Sequence, residues 1–218
     1  MYSFAAFLDM GDHAIASSSP ERFLRYDPRN RRIETKPIKG TRPRGGPEGE
    51  QAFYKAELLA SAKDAAELVM IVDLERNDLG RVCSYGSVKV PELLTLESYA
   101  TVHHLVSTVV GKLHDERSVA ELLKATFPGG SITGAPKVRS MEIIDELEPT
   151  QRAVYTGSVG WIGFDGDMDL NIVIRTFLIN EKGVHWQVGG GIVADSDPVA
   201  EYEETLAKGI ALKNALGV

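Results

Sequence analysis

Lys39 is the residue in this chain whose surroundings most invite chemistry. It stands in TKPIKGTRPRGG, after a proline-fixed turn and before a glycine, with Lys36, Arg42 and Arg44 around it. A lysine among other cations, if also shielded from water, loses protonated character and becomes an amine nucleophile. Taken alone, the same segment reads first as a basic surface loop whose prolines and glycines only set turns. Glu67 shares a helical face with Ile71 and Leu74, so its carboxylate needs a partner or a route to water. Arg175 lies in the apolar run NIVIRTF, where a guanidinium is costly to bury without an anion. It is a candidate carboxylate clamp, or else half of a buried ion pair. Glu201, Glu204 and Lys208 fall on one face of a final helix, which is ordinarily a solvated stripe. The same stripe could offer carboxylates to a magnesium ion beside an anionic substrate.

Two glycine-rich segments add binding rather than reacting groups. In FPGGSITGAPKVRS, Gly129 and Gly134 have P-loop spacing, but Ala135 stands where the lysine must follow, so a phosphate loop is excluded. Thr133 is expected to cap a helix with Pro136 in its first turn and an apolar stripe of Val138, Met141, Ile143, Ile144 and Leu147. A helix start behind a glycine loop can hold a carboxylate as well as a phosphate. GGGIVADSDP matches G-x-G-x-x-A, yet no βαβ unit surrounds it, and Gly189, Gly190 and Gly191 read instead as backbone that approaches a ligand closely. His103 and His104 are adjacent on a strand and must face opposite ways, so at most one enters a common pocket. FDGDMD lacks EF-hand spacing and reads as a hairpin turn.

The elements that position these residues alternate between strands and helices. Strand-length runs at 2–8, 14–17, 23–26 and 33–35, separated by Gly, Pro, Asp and Asn, predict antiparallel hairpins. Opening at once in a strand leads us to expect further sheet upstream. From 50 to 78 there is no proline or glycine, which predicts one long helix or two, ended at Gly80, with Arg76 and Asp78 as a local ion pair or cap. Strands follow at 88–96 and 99–113, a short helix at 118–126, and strands at 154–162, 169–179 and 184–188. Asp197 and Pro198 open a last helix reaching about Leu216. The fold class expected is α+β, antiparallel sheets packed against helices, in a single domain over 1–218.

Composition narrows the partners. The chain is 43% hydrophobic with a net charge of −7 and a pI near 5.3, which argues against a nucleic-acid surface. A basic cluster inside an acidic protein points to a pocket for a small anion. The single cysteine, Cys83, excludes an internal disulfide and fits a reducing cytosol. No apolar run reaches the roughly 18 residues of a membrane span, and the start lacks the basic residues of a signal peptide, so a soluble cytoplasmic protein is expected.

SSSPERF, TKPIKGTRPRG, AKDAAELVMIVDLERNDLGRV, HHLVSTVVGKL, GGSITGAPKVRSMEIIDELEP, YTGSVGW, NIVIRTF and GGGIVADSDPVAEYEETLAKG, taken together and in order, resemble the chorismate-binding enzymes. That family includes anthranilate, aminodeoxychorismate, isochorismate and salicylate synthases. PIKGT is similar to the aminodeoxychorismate-forming branch, whereas the anthranilate-forming branch usually has alanine in place of this lysine. The resemblance implies that Lys39 attacks C2 of the chorismate ring while Glu21 protonates the departing C4 hydroxyl, after which ammonia adds at C4. It implies Mg2+ held by Glu67 and Glu201, with Glu204 close by, and His104 as an active-site histidine. It also implies substrate contacts from Tyr155, Arg175, the amides of Gly189, Gly190 and Gly191, and Lys208, joined by Thr41 and Thr133. Ammonia would come from a separate glutamine amidotransferase subunit, and an upstream half would add strands to the same sheets. An anthranilate-forming enzyme and a truncated chain that only binds chorismate stay open as alternatives.

Overall fold

The computed structural model describes residues 4–99 and 102–217. Residues 2 and 3 of the first expected strand and 100 and 101 of the 99–113 strand therefore lie outside the described residues. Two hairpins open the chain: β1 (Phe4–Asp9) with β2 (His13–Ser19), and β3 (Arg22–Asp27) with β4 (Arg32–Lys36). Alternation in β2 turns Ile15, Ser17 and Ser19 inward and leaves its other face more open. The two hairpins do not continue one sheet. β2 pairs with β10 (Thr176–Asn180), which carries β11 (Gly183–His185), giving the order β1-β2-β10-β11.

The larger sheet is built around β7 (Val102–Lys112). One edge of β7 pairs with β6 (Lys89–Ser98); the other pairs first with β5 (Ile38–Pro43) and then with β4. Pro37 has no N–H to give a ladder, and it divides β4 from β5 while its carbonyl accepts from the Ser107 amide at 3.2 Å. β3 continues the sheet into β9 (Met168–Asn171) and β8 (Gly160–Ile162), all antiparallel. The FDGDMD segment turns between β8 and β9, as expected.

The expected strand over 169–179 is two strands in two sheets. The chain leaves the larger sheet after Asn171 and enters the smaller at Thr176, with Arg175 at φ 53 in the turn. An apolar run reads the same to a periodicity argument whichever sheet it belongs to. The β2 to β3 connection through Pro20 and Glu21 makes the opposite crossing. Backbone bonds tie the crossings together, Ser18 N–H to the Arg175 carbonyl and Ile172 N–H to the Glu21 carbonyl, both 3.1 Å.

The helical stretch divides into α1 (Glu48–Ala60) and α2 (Ala62–Gly80). Ser61 breaks it by leaving helical geometry and accepting the Asp64 amide on its side chain. α2 packs on β5, β6 and β7, and its Leu68 and Val72 join Leu24, Ile33, Leu105 and Met168 in the core. Burial of each such side chain is worth about 1.5–3 kcal/mol. α3 (Val119–Thr126) starts with a Ser118–Glu121 capping box, and α5 (Pro198–Leu216) starts at Asp197 and stops at Gly217 with φ 73. Among the described residues no helix is long and apolar enough to cross a membrane.

Four further local expectations need correction. α4 (Lys137–Leu147) is preceded by Pro136 with no side-chain cap, and Thr133 turns back to donate to the Gly129 carbonyl at 2.9 Å. Arg76 pairs with Asp73 rather than Asp78, because i,i+3 geometry suits a helix surface, and Asp78 receives Lys137 at 2.5 Å. Of the 154–162 run only Gly160–Ile162 is strand, since Ala153 and Thr156 take positive φ and bend the chain before it. Likewise 184–188 is strand only within Gly183–His185.

Candidate active site

β5 delivers Lys39 through a bulge. Lys39 lies opposite Leu105 and Thr41 opposite His104, which leaves Gly40 as the extra residue at φ 70. A methyl group on Gly40 would stand 2.6 Å from Leu58 Cδ1 and 2.9 Å from Asp64 Cγ, so glycine is required by both conformation and space. Lys39 Nζ faces Glu67 Oε2 at 3.6 Å. The crowd of cations expected around it is not there. Lys36 pairs with Glu97, Arg42 with Glu57 and Asp64, and Arg44 donates to the Tyr99 carbonyl. Those partners lie far along the chain, which is why the local run looked uniformly basic.

α2 and α5 bring carboxylates to the glycine triplet. A methyl at Gly191 would be 3.2 Å from Lys39 Nζ and 3.7 Å from Glu67 Oε2; at Gly190, 3.3 Å from Glu201 Oε2 and 3.8 Å from Lys208 Nζ; at Gly189, 3.1 Å from the Tyr155 hydroxyl. Any side chain on these residues would crowd Lys39, Glu67, Glu201 and Tyr155. Lys208 also donates to the Gly189 carbonyl at 3.1 Å. Glu67 and Glu201 are both buried and face neighbouring glycines. Such a pair of hard oxygen donors fits Mg2+, which commonly takes one or two protein carboxylates and completes its shell with water and substrate oxygens. Glu204 is engaged by Lys208 at 2.6 Å, and among the described residues no three such ligands gather as a cluster.

The two crossovers carry the acid and the guanidinium. Glu21 is buried, and burial pushes its carboxyl up to about 7, against the pull of the Ser131 hydroxyl, the Lys39 charge and the Ile38 amide. Arg175 is half-buried, burial draws its pKa down, and among the described residues it has no ion-pair partner. His104 shares a hydrogen bond between Nδ1 and the Thr41 hydroxyl at 3.0 Å, lies edge-on to the Tyr99 ring, and is driven toward the neutral form chiefly by burial. His103 turns instead to Ser98 at 2.8 Å.

The sequence matches the pattern of the chorismate binding enzyme family over residues 1–214. The chain belongs to the chorismate binding enzymes. It is 54% identical over 205 residues to aminodeoxychorismate synthase component 1 of Escherichia coli, covering 94% of this chain and 45% of that one. It is 51% identical over 213 residues to an anthranilate synthase component 1 of Haloarcula marismortui, covering 98% of this chain and 43% of that one. The crystal structure of anthranilate synthase component I from Streptococcus pneumoniae superposes with a TM-score of 0.83 at 40% identity, over 94% of this chain and 45% of that chain. The chain thus spans less than half the length of these relatives.

Within this chorismate-binding fold the predicted residues divide. Lys39, Glu67, Glu201, Lys208, Tyr155 and the glycines converge on one strand of backbone; Thr41 and His104 pair beside it; Glu21 reaches it through the Lys39 charge. Thr133 is bound into its own loop. Lys63 and Ser196, which hold Glu201 at 2.8 and 2.6 Å, were missed. Lys63 lies four residues before Glu67, a spacing that places both on one helical face and could have marked it.

Proposed function

We propose that this chain carries the amination of chorismate to 4-amino-4-deoxychorismate. The observation that carries the reading is the placement of Lys39 Nζ against Glu67 and Gly191, with its charge felt by an acid, Glu21, that burial keeps substantially protonated near neutrality. Once its proton has passed to a base, for which the Glu67 carboxylate at 3.6 Å is placed, Lys39 forms a bond to ring C2. The ring double bonds shift, and the C4 hydroxyl leaves as water with the proton of Glu21. Ammonia then bonds to C4, the double bonds shift back, and the C2–N bond to Lys39 breaks. The balance is chorismate plus ammonia giving aminodeoxychorismate plus water, one hard substitution divided into two easier ones. Arg175 and Lys208 supply cationic contacts for the substrate carboxylates, with Tyr155 and the glycine amides closing around them. Mg2+ at Glu67 and Glu201 would neutralise the ring carboxylate. A glutamine amidotransferase subunit would feed the ammonia, in keeping with relatives named as a component 1.

The test is incubation of the chain with chorismate, Mg2+ and ammonium, followed by product chromatography. Aminodeoxychorismate is the expected product. Anthranilate as sole product would assign the chain to that branch instead, and chorismate binding without turnover would mark a non-catalytic chain.

A further inference from the structure

Three ammonium–carboxylate pairs account for the candidate magnesium ligands: Lys39 with Glu67 at 3.6 Å, Lys63 with Glu201 at 2.8 Å and Lys208 with Glu204 at 2.6 Å. Two of these lysines have work in the proposed reaction, Lys39 as nucleophile and Lys208 on a substrate carboxylate. Lys63 has none. It reaches from the first turn of α2 across to α5, and its ammonium also feels the charges of Glu67 and Glu204. Its side chain is 49% exposed whereas that of Glu201 is 7% exposed. The acid is fixed in the site, and the lysine enters from solvent on a flexible stem.

We propose that Lys63 is a built-in counter-cation that occupies Glu201 when no metal is bound and swings away when Mg2+ arrives. The inference rests on the reading in which Glu67 and Glu201 hold the metal. The physical argument is charge. Glu201 is buried, and the ammonium on it also feels Glu67 and Glu204, so without a positive partner the buried charge is strongly unfavourable. A divalent ion at the same carboxylate makes the nearby ammonium repulsive in turn, and an exposed four-carbon stem lets it retreat to water. Ser196, bonded to Glu201 Oε1 at 2.6 Å, keeps the carboxylate oriented through the exchange. The consequence is competition: metal binding must overcome the lysine, so affinity for free Mg2+ is held down.

Mn2+ binding, followed by the electron paramagnetic resonance signal of the free ion, tests this without turnover. Lys63→Met is expected to tighten Mn2+ roughly three- to tenfold, about what loss of a partly exposed charge pair allows. Lys63→Arg should stay close to wild type, and Glu201→Gln should weaken binding. In thermal melts, Lys63→Met should start lower without metal and gain more from Mn2+ than wild type does, which separates a weakened α2–α5 contact from misfolding. Unchanged or weaker Mn2+ affinity in a folded Lys63→Met protein overturns the inference alone. Unchanged affinity in Glu201→Gln overturns the metal reading and the inference with it.

Discussion

The carboxylates of this chain fall into two neighbourhoods that put the same functional group to opposite uses. Glu21, on the first crossover, and Glu75, on α2, are buried, and among the described residues neither has an ion-pair partner. Burial pushes Glu21 up to about 7, and Glu75, whose side chain accepts the Thr35 hydroxyl at 3.1 Å, lies well above the ordinary range for the same reason with the Glu21 charge adding to it. Around the glycine triplet, Glu67, Glu201 and Glu204 each meet an ammonium, and the Lys63 and Ser196 hydrogen bonds hold Glu201 below its usual value. Carboxyls pushed toward the protonated form and carboxylates paired with ammonium groups are thereby made from one residue type by surroundings alone.

Each side of that contrast can be broken separately. Lys39→Ala removes the group that links them; aminodeoxychorismate formation should fall at least about a thousandfold, as for loss of a nucleophile. Any residual product should move toward anthranilate, and an unchanged aminodeoxychorismate rate by chromatography would remove Lys39 from the mechanism. Glu21→Gln keeps the shape and loses the proton, and should lower kcat by about a hundredfold to ten-thousandfold. In the wild type the acid form is required, so kcat/KM should decline as pH rises through about 7, and this limb should vanish in the variant. Gly40→Ala strikes the bulge that aims Lys39. At φ 70 with a 2.6 Å approach to Leu58 it should destabilise the fold by more than about 1 kcal/mol in denaturant titration. Glu75→Gln is the mildest change. Glu75 is raised in the folded state above the ordinary glutamate value of 4.5, so its contribution to stability is present at acid pH and is lost as pH rises from there toward the folded pKa. The variant should therefore gain stability over wild type with rising pH, read from urea midpoints at several pH values; a constant difference would place no buried proton on Glu75.

How much of this was legible beforehand depended on the range of the interaction involved. Signals carried within a few residues were readable: the Ser118–Glu121 box, the Asp197–Pro198 helix start and the hairpins of the first third all formed where the local chemistry put them. The site residues were reachable through the family resemblance, and Glu67 also through its odd place on an apolar face. What stayed hidden was long-range. Lys36 looks like a neighbour that crowds Lys39 until Glu97 appears opposite it, and NIVIRTF looks like one strand until the second sheet claims Thr176. Thr133 had the residue type of a helix cap, yet α4 starts only after Pro136, and the Thr133 hydroxyl donates to carbonyls of its own glycine loop.

The paired crossings between the sheets have a mechanical meaning for the site. Glu21 rides one and Arg175 the other, and the hydrogen bonds donated by the Ser18 and Ile172 amides lace them into a single ribbon. If one sheet tilts against the other, carboxyl and guanidinium travel together, and the gauge between them is kept by main chain rather than by the longer, softer reach of side chains.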